Sequence, residues 1–324
     1  MAATQYWMIT NRNVSKSGLG SDRDQLSYWM NSSSALTDFS NWTKVSAGEL
    51  KAQLRKAADQ FPVLAEANHE SQRHVTLAIH GFNVTWKDAV DWYQGLCDNL
   101  FTGNKSLGVC VLFTWPSDGK SINYLPDRID AEKTAPELAE VFSWLYDWLL
   151  KKQADAAANS AKACKAKTSI IAHSMGNFVL QRALQHVWTR KNQPLLLSLL
   201  NQVLMVAADV DNDLFRGGEA VTRSDGDAIA NLTYRVTALY TGRDSVLGLS
   251  AGMKHFGKRR LGRSGLDRET LAPDNVWDID CSDLFRPEQK NIHSAYFYEK
   301  KVQALMRDIL RGVDRLVIQA RHFG

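Results

Sequence analysis

An α/β fold, with a doubly wound and mostly parallel sheet flanked by helices, is predicted here by three observations. Short apolar runs of β character alternate with amphipathic stretches along the chain. Several runs are apolar almost throughout, as strands covered on both faces must be. Most of the suspicious polar residues then fall just after these runs, where ligands bind at the carboxyl ends of such sheets.

Taken in order, the first strand is 5–10, QYWMIT, and 11–47, rich in Ser, Asn and Asp, reads as a loop-rich N-terminal excursion. A helical pattern at 48–60 leads to the strand 74–79, HVTLAI, and a second helix at 87–101 to the strand 108–114, GVCVLFT. A helix at 131–150 follows. The Ala- and Lys-rich stretch 151–167 frays off its end as a solvated loop. The strand 168–172, TSIIA, precedes a helix at 176–190 and the strand 202–208, QVLMVAA. About 25 residues then separate it from the strand 234–241, which leaves room for one crossover helix and a minimal lid. The strand 275–280 comes last. A C-terminal helix over 296–320 aligns Val302, Leu305, Ile309, Val313 and Leu316 in one stripe.

A length of 324 residues suits one large α/β domain over 1–324, and 44% hydrophobic content with 10 Trp and 12 Phe supplies its core. Charge is nearly balanced, 39 basic against 35 acidic residues, which makes no case for nucleic acid. Cys97, Cys110, Cys164 and Cys281 form no CxxC pair and suit reduced thiols in a cytoplasm. The N-terminus MAATQYWMITNRN lacks a signal-peptide pattern. The most apolar stretch, VFSWLYDWLL, is about half the roughly 20 residues a spanning helix needs.

The chemistry centres on SIIAHSMGNFVL, 169–180, where an apolar run stops at a polar cluster and a helical pattern begins. A serine hydroxyl needs a base to become nucleophilic and must stand clear of the sheet. A sharp strand-to-helix turn achieves this and tolerates only small flanks. Here they are Ala172 and Gly176, in a variant of G-x-S-x-G that makes Ser174 the nucleophile. The N–H of Met175, at the start of a helix, is placed to donate to an oxyanion. The blander reading of Ser174 is a helix cap.

IHGFN, 79–83, follows another apolar strand. Gly81 permits a turn that would face the Phe82 N–H to the reaction centre as the second oxyanion donor, with Asn83 a side-chain donor or a loop pin. His80 reads as a brace for this loop rather than as the base. The base is expected on a loop after the last strand, and His293 in NIHSAYFY fits best. Asp244, just past the strand 234–241 and preceded by Gly242, gives the order Ser–Asp–His, with Asp209 as its rival one strand earlier. Asp209, Asp211 and Asp213 do not make a calcium loop, because Leu214 and Ala220 stand where Gly and Glu are required. The basic run KHFGKRRLGR, 254–263, reads as a solvated loop, or as an attractant for anionic substrates or a membrane surface.

With these residues, the chain resembles the α/β-hydrolase superfamily of esterases, lipases and thioesterases. Within it the chain is similar to a bacterial family of largely uncharacterised hydrolases marked by TNRN, IHGFN, FTWPSDG, IIAHSMGN, VLMVAADVDND and a late HS.Y. The resemblance covers most of 5–300 and departs from the wider pattern at Ala172. It implies a Ser174–Asp244–His293 triad with no cofactor and no metal. The expected activity is hydrolysis of small-molecule or lipid esters through an acyl-enzyme. The alternatives are a phospholipase or acyltransferase that uses the basic run in peripheral membrane contact, and a hydrolase scaffold kept for binding.

Overall fold

The computed structural model describes residues 5–324 except 16–17, 63–71, 118–123, 160–165, 192–197, 217–224 and 255–256. His69, His255, part of the crossover after 202–208, and part of the Ala/Lys-rich stretch lie outside the described residues. The chain divides into two compact units, Met1–Thr168 and Ser169–Gly324.

In the first unit five strands run in the order β3 (Thr43–Val45), β2 (Gly18–Asn31), β1 (Tyr6–Ser15), β5 (Gly108–Thr114), β4 (His74–Ile79). β1 and β4 are parallel to β5, whereas the β1–β2 and β2–β3 pairs are antiparallel. The loop-rich excursion expected over 11–47 is therefore corrected: much of it is strand. Its polar residues misled because Ser21, Asp22, Arg23, Asp24 and Gln25 all stand exposed along the middle of β2. Only from Ser27 to Asn31 do buried and half-buried positions alternate as a one-sided strand requires, with Trp29 turned inward.

Among the described residues the α-helices of this unit are α1 (Ala47–Asp59), α2 (Trp86–Leu96) and α3 (Tyr124–Ala158). α3 runs past the expected end at 150, so the first part of the Ala/Lys-rich stretch is helix and not loop, as residues of high helix propensity allow. Thr85 caps α2 in a reciprocal pair with Asp88. From α2 the buried Tyr93 hydroxyl donates to the Cys110 carbonyl at 2.7 Å and accepts from the Trp7 N–H at 3.2 Å, fixing the helix on the sheet.

In the second unit, all four strands are parallel, in the order β6 (Lys167–His173), β7 (Leu200–Val206), β8 (Thr233–Tyr240), β9 (Val276–Asp280). Their interiors carry the buried Ile170, Ile171, Val203, Leu204, Val236 and Leu239. The helices are α4 (Gly176–Lys191), α5 (Asp227–Leu232), α6 (Ser245–Leu249), α7 (Leu261–Ser264), α8 (Ile292–Ala295), α9 (Lys300–Leu310) and α10 (Arg315–Phe323). The single C-terminal helix expected over 296–320 is thus two. Gly312, at φ +76°, ends α9, and the Asp314 carboxylate starts α10 by accepting from the Leu316 N–H. Val302, Leu305 and Ile309 are buried as the stripe requires, but Leu316, beyond the break, is 80% exposed.

The mostly parallel α/β sheet with flanking helices is the fold expected. Among the described residues no helix is long and apolar enough to cross a membrane.

Candidate active site

At the end of β6 the chain must turn from a buried strand into α4 within two residues, and Ser174 occupies that turn at φ +51°. A left-handed backbone costs a non-glycine residue about 1 kcal/mol or more, so it persists only where neighbours over-determine it. They do so here. The Ser174 N–H donates to Val206 O at 3.0 Å, and the Ser174 carbonyl accepts from the N–H groups of Asn177 and Asp209, each at 3.1 Å. The buried Asn177 side chain adds a donor to Ser174 O at 3.1 Å and reaches back to Ala172 O at 2.9 Å. Ala172 is buried, and Gly176 begins α4. The Met175 N–H has no acceptor among the described residues, and neither has the Ser174 hydroxyl a hydrogen-bond partner there.

Asn177 was not singled out by sequence, although it closes the AHSMGN motif. Removing its amide takes one donor from the Ala172 carbonyl and one from the Ser174 carbonyl, so Asn177→Ala is expected to cost about 2 kcal/mol in urea unfolding. A loss under about 0.5 kcal/mol would show that the turn does not depend on this clamp.

Beyond β8, Asp244 is fully buried at the start of α6. Its Oδ1 accepts from the Leu247 N–H at 3.0 Å, and its Oδ2 lies 2.7 Å from Nδ1 of His293. A carboxylate there accepts the Nδ1 proton, which leaves Nε2 of His293 as the basic nitrogen. Arg263 donates to the Asp244 carbonyl from α7. Asn291, at φ +53°, turns the chain into α8, which carries His293.

His173, the residue before the serine, backs His293. Its Nε2 donates to the His293 carbonyl at 2.9 Å, and the two ring centroids are 4.9 Å apart. Burial first, then the neighbouring His293, push its pKa down to about 3, so the ring stays neutral. An unfolded chain protonates this side chain near pH 6.5 while the folded one does not. Stability present at neutral pH is therefore lost as pH falls below 6.5, by about 1.4 kcal/mol per unit down to the folded value. Between about pH 6.5 and about pH 5, His173→Gln should lose about 2 kcal/mol less stability than wild type in urea titrations. Parallel losses would contradict this account.

Asp209, the rival acid, is engaged elsewhere. Its Oδ1 accepts from Arg260 Nε at 2.8 Å and from the Ser250 hydroxyl at 3.0 Å, and Arg260 is fully buried. Arg260 also donates to the Asp209 carbonyl at 2.8 Å and pairs with Asp211, whose other oxygen is 3.1 Å from Lys258 Nζ. Arg260 and the main chain after it thus turn back onto VDND, with Leu261 N–H donating to Val210 O and Gly262 N–H to Ala208 O, while Lys258 and Arg259 stay exposed as in a solvated loop. A Cβ on Gly262 would stand 2.2 Å from the main chain of Ala207 and Ala208, so only glycine allows this approach. No sequence signal joined these two segments.

The IHGFN loop belongs to the first unit. His80 Nε2 accepts from the Trp115 N–H at 3.2 Å and lies 2.9 Å from the Thr114 hydroxyl, which leaves the Nδ1 proton for Gly81 O at 2.9 Å. The ring stacks on Trp115 at 5.4 Å. These contacts are those of a brace. Arg12, from TNRN, donates to Thr114 Oγ1 at 2.9 Å and Val84 O at 2.8 Å, so that motif supports the same loop. Asn83 is exposed at φ +61°, and its N–H donates to the buried Asp127 at 3.4 Å. Phe82 packs its ring edge-on against Tyr124, with centroids 5.5 Å apart.

A family described as alpha/beta hydrolase of unknown function (DUF900) matches residues 55–308, well over half of the chain. The chain belongs to this family. Membership in this family assigns the alpha/beta-hydrolase fold and leaves activity and substrate open. The chain is also similar to an uncharacterised protein of Nostoc, at 27% identity over 146 residues, or 39% of this chain. It spans only 34% of that relative's length. Among solved structures it is similar to a lipase B from Aspergillus fumigatus, at 12% identity and a TM-score of 0.38, covering 85% of this chain and 61% of that one. A phospholipase from Legionella pneumophila shows 12% identity and a TM-score of 0.36, over 78% of this chain and 62% of that one.

Proposed function

We propose that the chain is a serine hydrolase of carboxylic esters that works through an acyl-enzyme. The observation that carries this reading is the 2.7 Å pair of Asp244 and His293, in the same unit as a serine held in a left-handed turn. Ser174 Oγ attacks the acyl carbon as His293 Nε2 takes its proton, and the Met175 N–H receives the charge that develops on the carbonyl oxygen. The imidazolium is stabilised by Asp244 and returns the proton to the departing alcohol. Water then attacks the acyl-enzyme by the same steps in reverse, releasing the acid and restoring Ser174. His173, kept neutral, adds no second positive charge beside the imidazolium. No step calls on a metal or cofactor.

The phospholipase alternative draws on the basic run, of which Arg260 and Arg263 are engaged by Asp209, Asp211 and the Asp244 carbonyl while Lys258 and Arg259 remain exposed. A fluorophosphonate probe should label the wild-type protein on the peptide bearing Ser174, and a chain-length series of nitrophenyl esters, with phospholipids alongside, should then find its substrate class. Folded protein that takes no label would favour a binding scaffold instead.

A further inference from the structure

Arg243 sits between the strand that delivers the proposed acid and the acid itself, yet its side chain reaches away from both. Its guanidinium meets four main-chain carbonyls: Ser282 at 3.4 Å, Phe285 at 3.5 Å, Arg286 at 2.9 Å and Pro287 at 2.6 Å. Among the described residues it has no carboxylate partner. Two further bonds cross the same gap. Thr241 Oγ1 is 2.8 Å from Ser282 Oγ, and the Cys281 N–H donates to Tyr240 O at 2.8 Å.

The segment so gripped runs from the end of β9 towards His293. After Pro287 the chain is mostly exposed through 288–291, and it turns at the left-handed Asn291 just before α8. The hydrogen bonds along that stretch are local: the Gln289 N–H donates to Arg286 O, and its side chain to Lys290 O. The Asp244 side is secured independently, by its cap on Leu247 and by Arg263. The distance between carboxylate and imidazole is thus bridged through the immediate neighbour of one partner and the approach to the other. A planar fork can hold several carbonyls at set angles at once; an ammonium cannot.

We propose that Arg243 is a positioning residue: by clamping the carbonyls of 282–287 it keeps the His293 segment in register with Asp244. The inference rests on the Ser174–His293–Asp244 reading above and names a residue that sets its geometry without touching substrate.

The test compares wild type with Arg243→Lys, which keeps the charge and loses the fork, and Arg243→Met. Arg235→Met is the control, since Arg235 donates to a single carbonyl, Val313 O, elsewhere in the unit. Two readouts are taken on protein shown to be folded at the assay temperature. One is kcat and KM on a nitrophenyl ester; the other is the NMR proton resonance of the His293 Nδ1–H, which reports its hydrogen bond to Asp244. Arg243→Lys should lower kcat at least about tenfold with KM within about twofold. It should also move the Nδ1–H proton resonance of His293 upfield, because a looser Asp244 contact weakens that hydrogen bond. Arg243→Met should lower kcat further, and Arg235→Met should change neither readout even where it lowers the melting temperature.

Wild-type kcat and an unshifted His293 Nδ1–H resonance in Arg243→Lys would overturn the inference, as would equal effects from Arg235→Met. If the hydrolase reading itself fails, wild type turns over no ester, while the Nδ1–H resonance still reports whether Arg243 holds the pair. If Arg243→Met does not fold, the lysine variant decides.

Discussion

Replacing Ser174 with alanine is expected to lower kcat on any ester substrate about 10⁵-fold and to abolish fluorophosphonate labelling. The size follows from what is removed. Without the hydroxyl no acyl-enzyme forms, and His293 is left to activate water in a site shaped for a different nucleophile. In the proposed mechanism the Met175 N–H still stabilises an oxyanion, so some acceleration over water survives. Alanine suffers the same left-handed penalty as serine, and the bonds that hold the turn are made by main chain and by Asn177. Stability should therefore stay within about 0.5 kcal/mol of wild type. Steady-state kinetics and urea unfolding of the same preparation separate the two effects. Retained turnover in a folded Ser174→Ala protein would mean that another group does the chemistry.

The second large effect divides the two aspartates. In Asp244→Asn the Leu247 N–H needs an acceptor, so the amide oxygen faces Leu247 and the amide nitrogen faces His293. That forces a donor onto Nδ1, moves the ring proton to Nε2, and leaves no lone pair for the serine proton. A fall of about 10⁴-fold in kcat is expected, with little change in stability. Asp209→Asn should do the reverse. It strips the charge from the partner of the fully buried Arg260 and is expected to cost about 3 kcal/mol of stability, with kcat of the folded protein within about tenfold of wild type. Kinetics and denaturation on both variants read this crossing directly. If Asp209→Asn is the more damaging to turnover, the acid is misassigned.

The strand pattern and the serine turn were legible in the sequence because both depend on near neighbours. Burial on both faces writes apolar runs such as SIIA and VLMV, and a turn at Ser174 demands small residues two positions either side. His80 could be read as a brace for the same reason. The choice between Asp244 and Asp209 could be argued only weakly, because each follows a strand. What separates their environments is Arg260, 51 residues beyond Asp209 in the chain, which engages that carboxylate in the interior.

Other features escaped for similar reasons. β2 pairs along a polar stretch because its ladder bonds come from the main chain of β1, so composition suggested loop. The C-terminal stripe continued through 313 and 316 in sequence, while a single left-handed glycine at 312 turned the chain elsewhere. Nothing in the basic run marked Arg260 as the cation buried against VDND while Lys258 and Arg259 stay exposed.

From the sequence alone came the layered α/β plan, the position of the turn proposed to carry the nucleophile and the shortlist of acids and bases. Those rest on periodicity and steric limits that act over a few residues. Which carboxylate meets His293, which is spent on a buried arginine, and how Arg243 links the two loops were decided by tertiary structure. These are pairings between charges and carbonyls distant in the chain, and their strength depends on burial and on angles that no local pattern records.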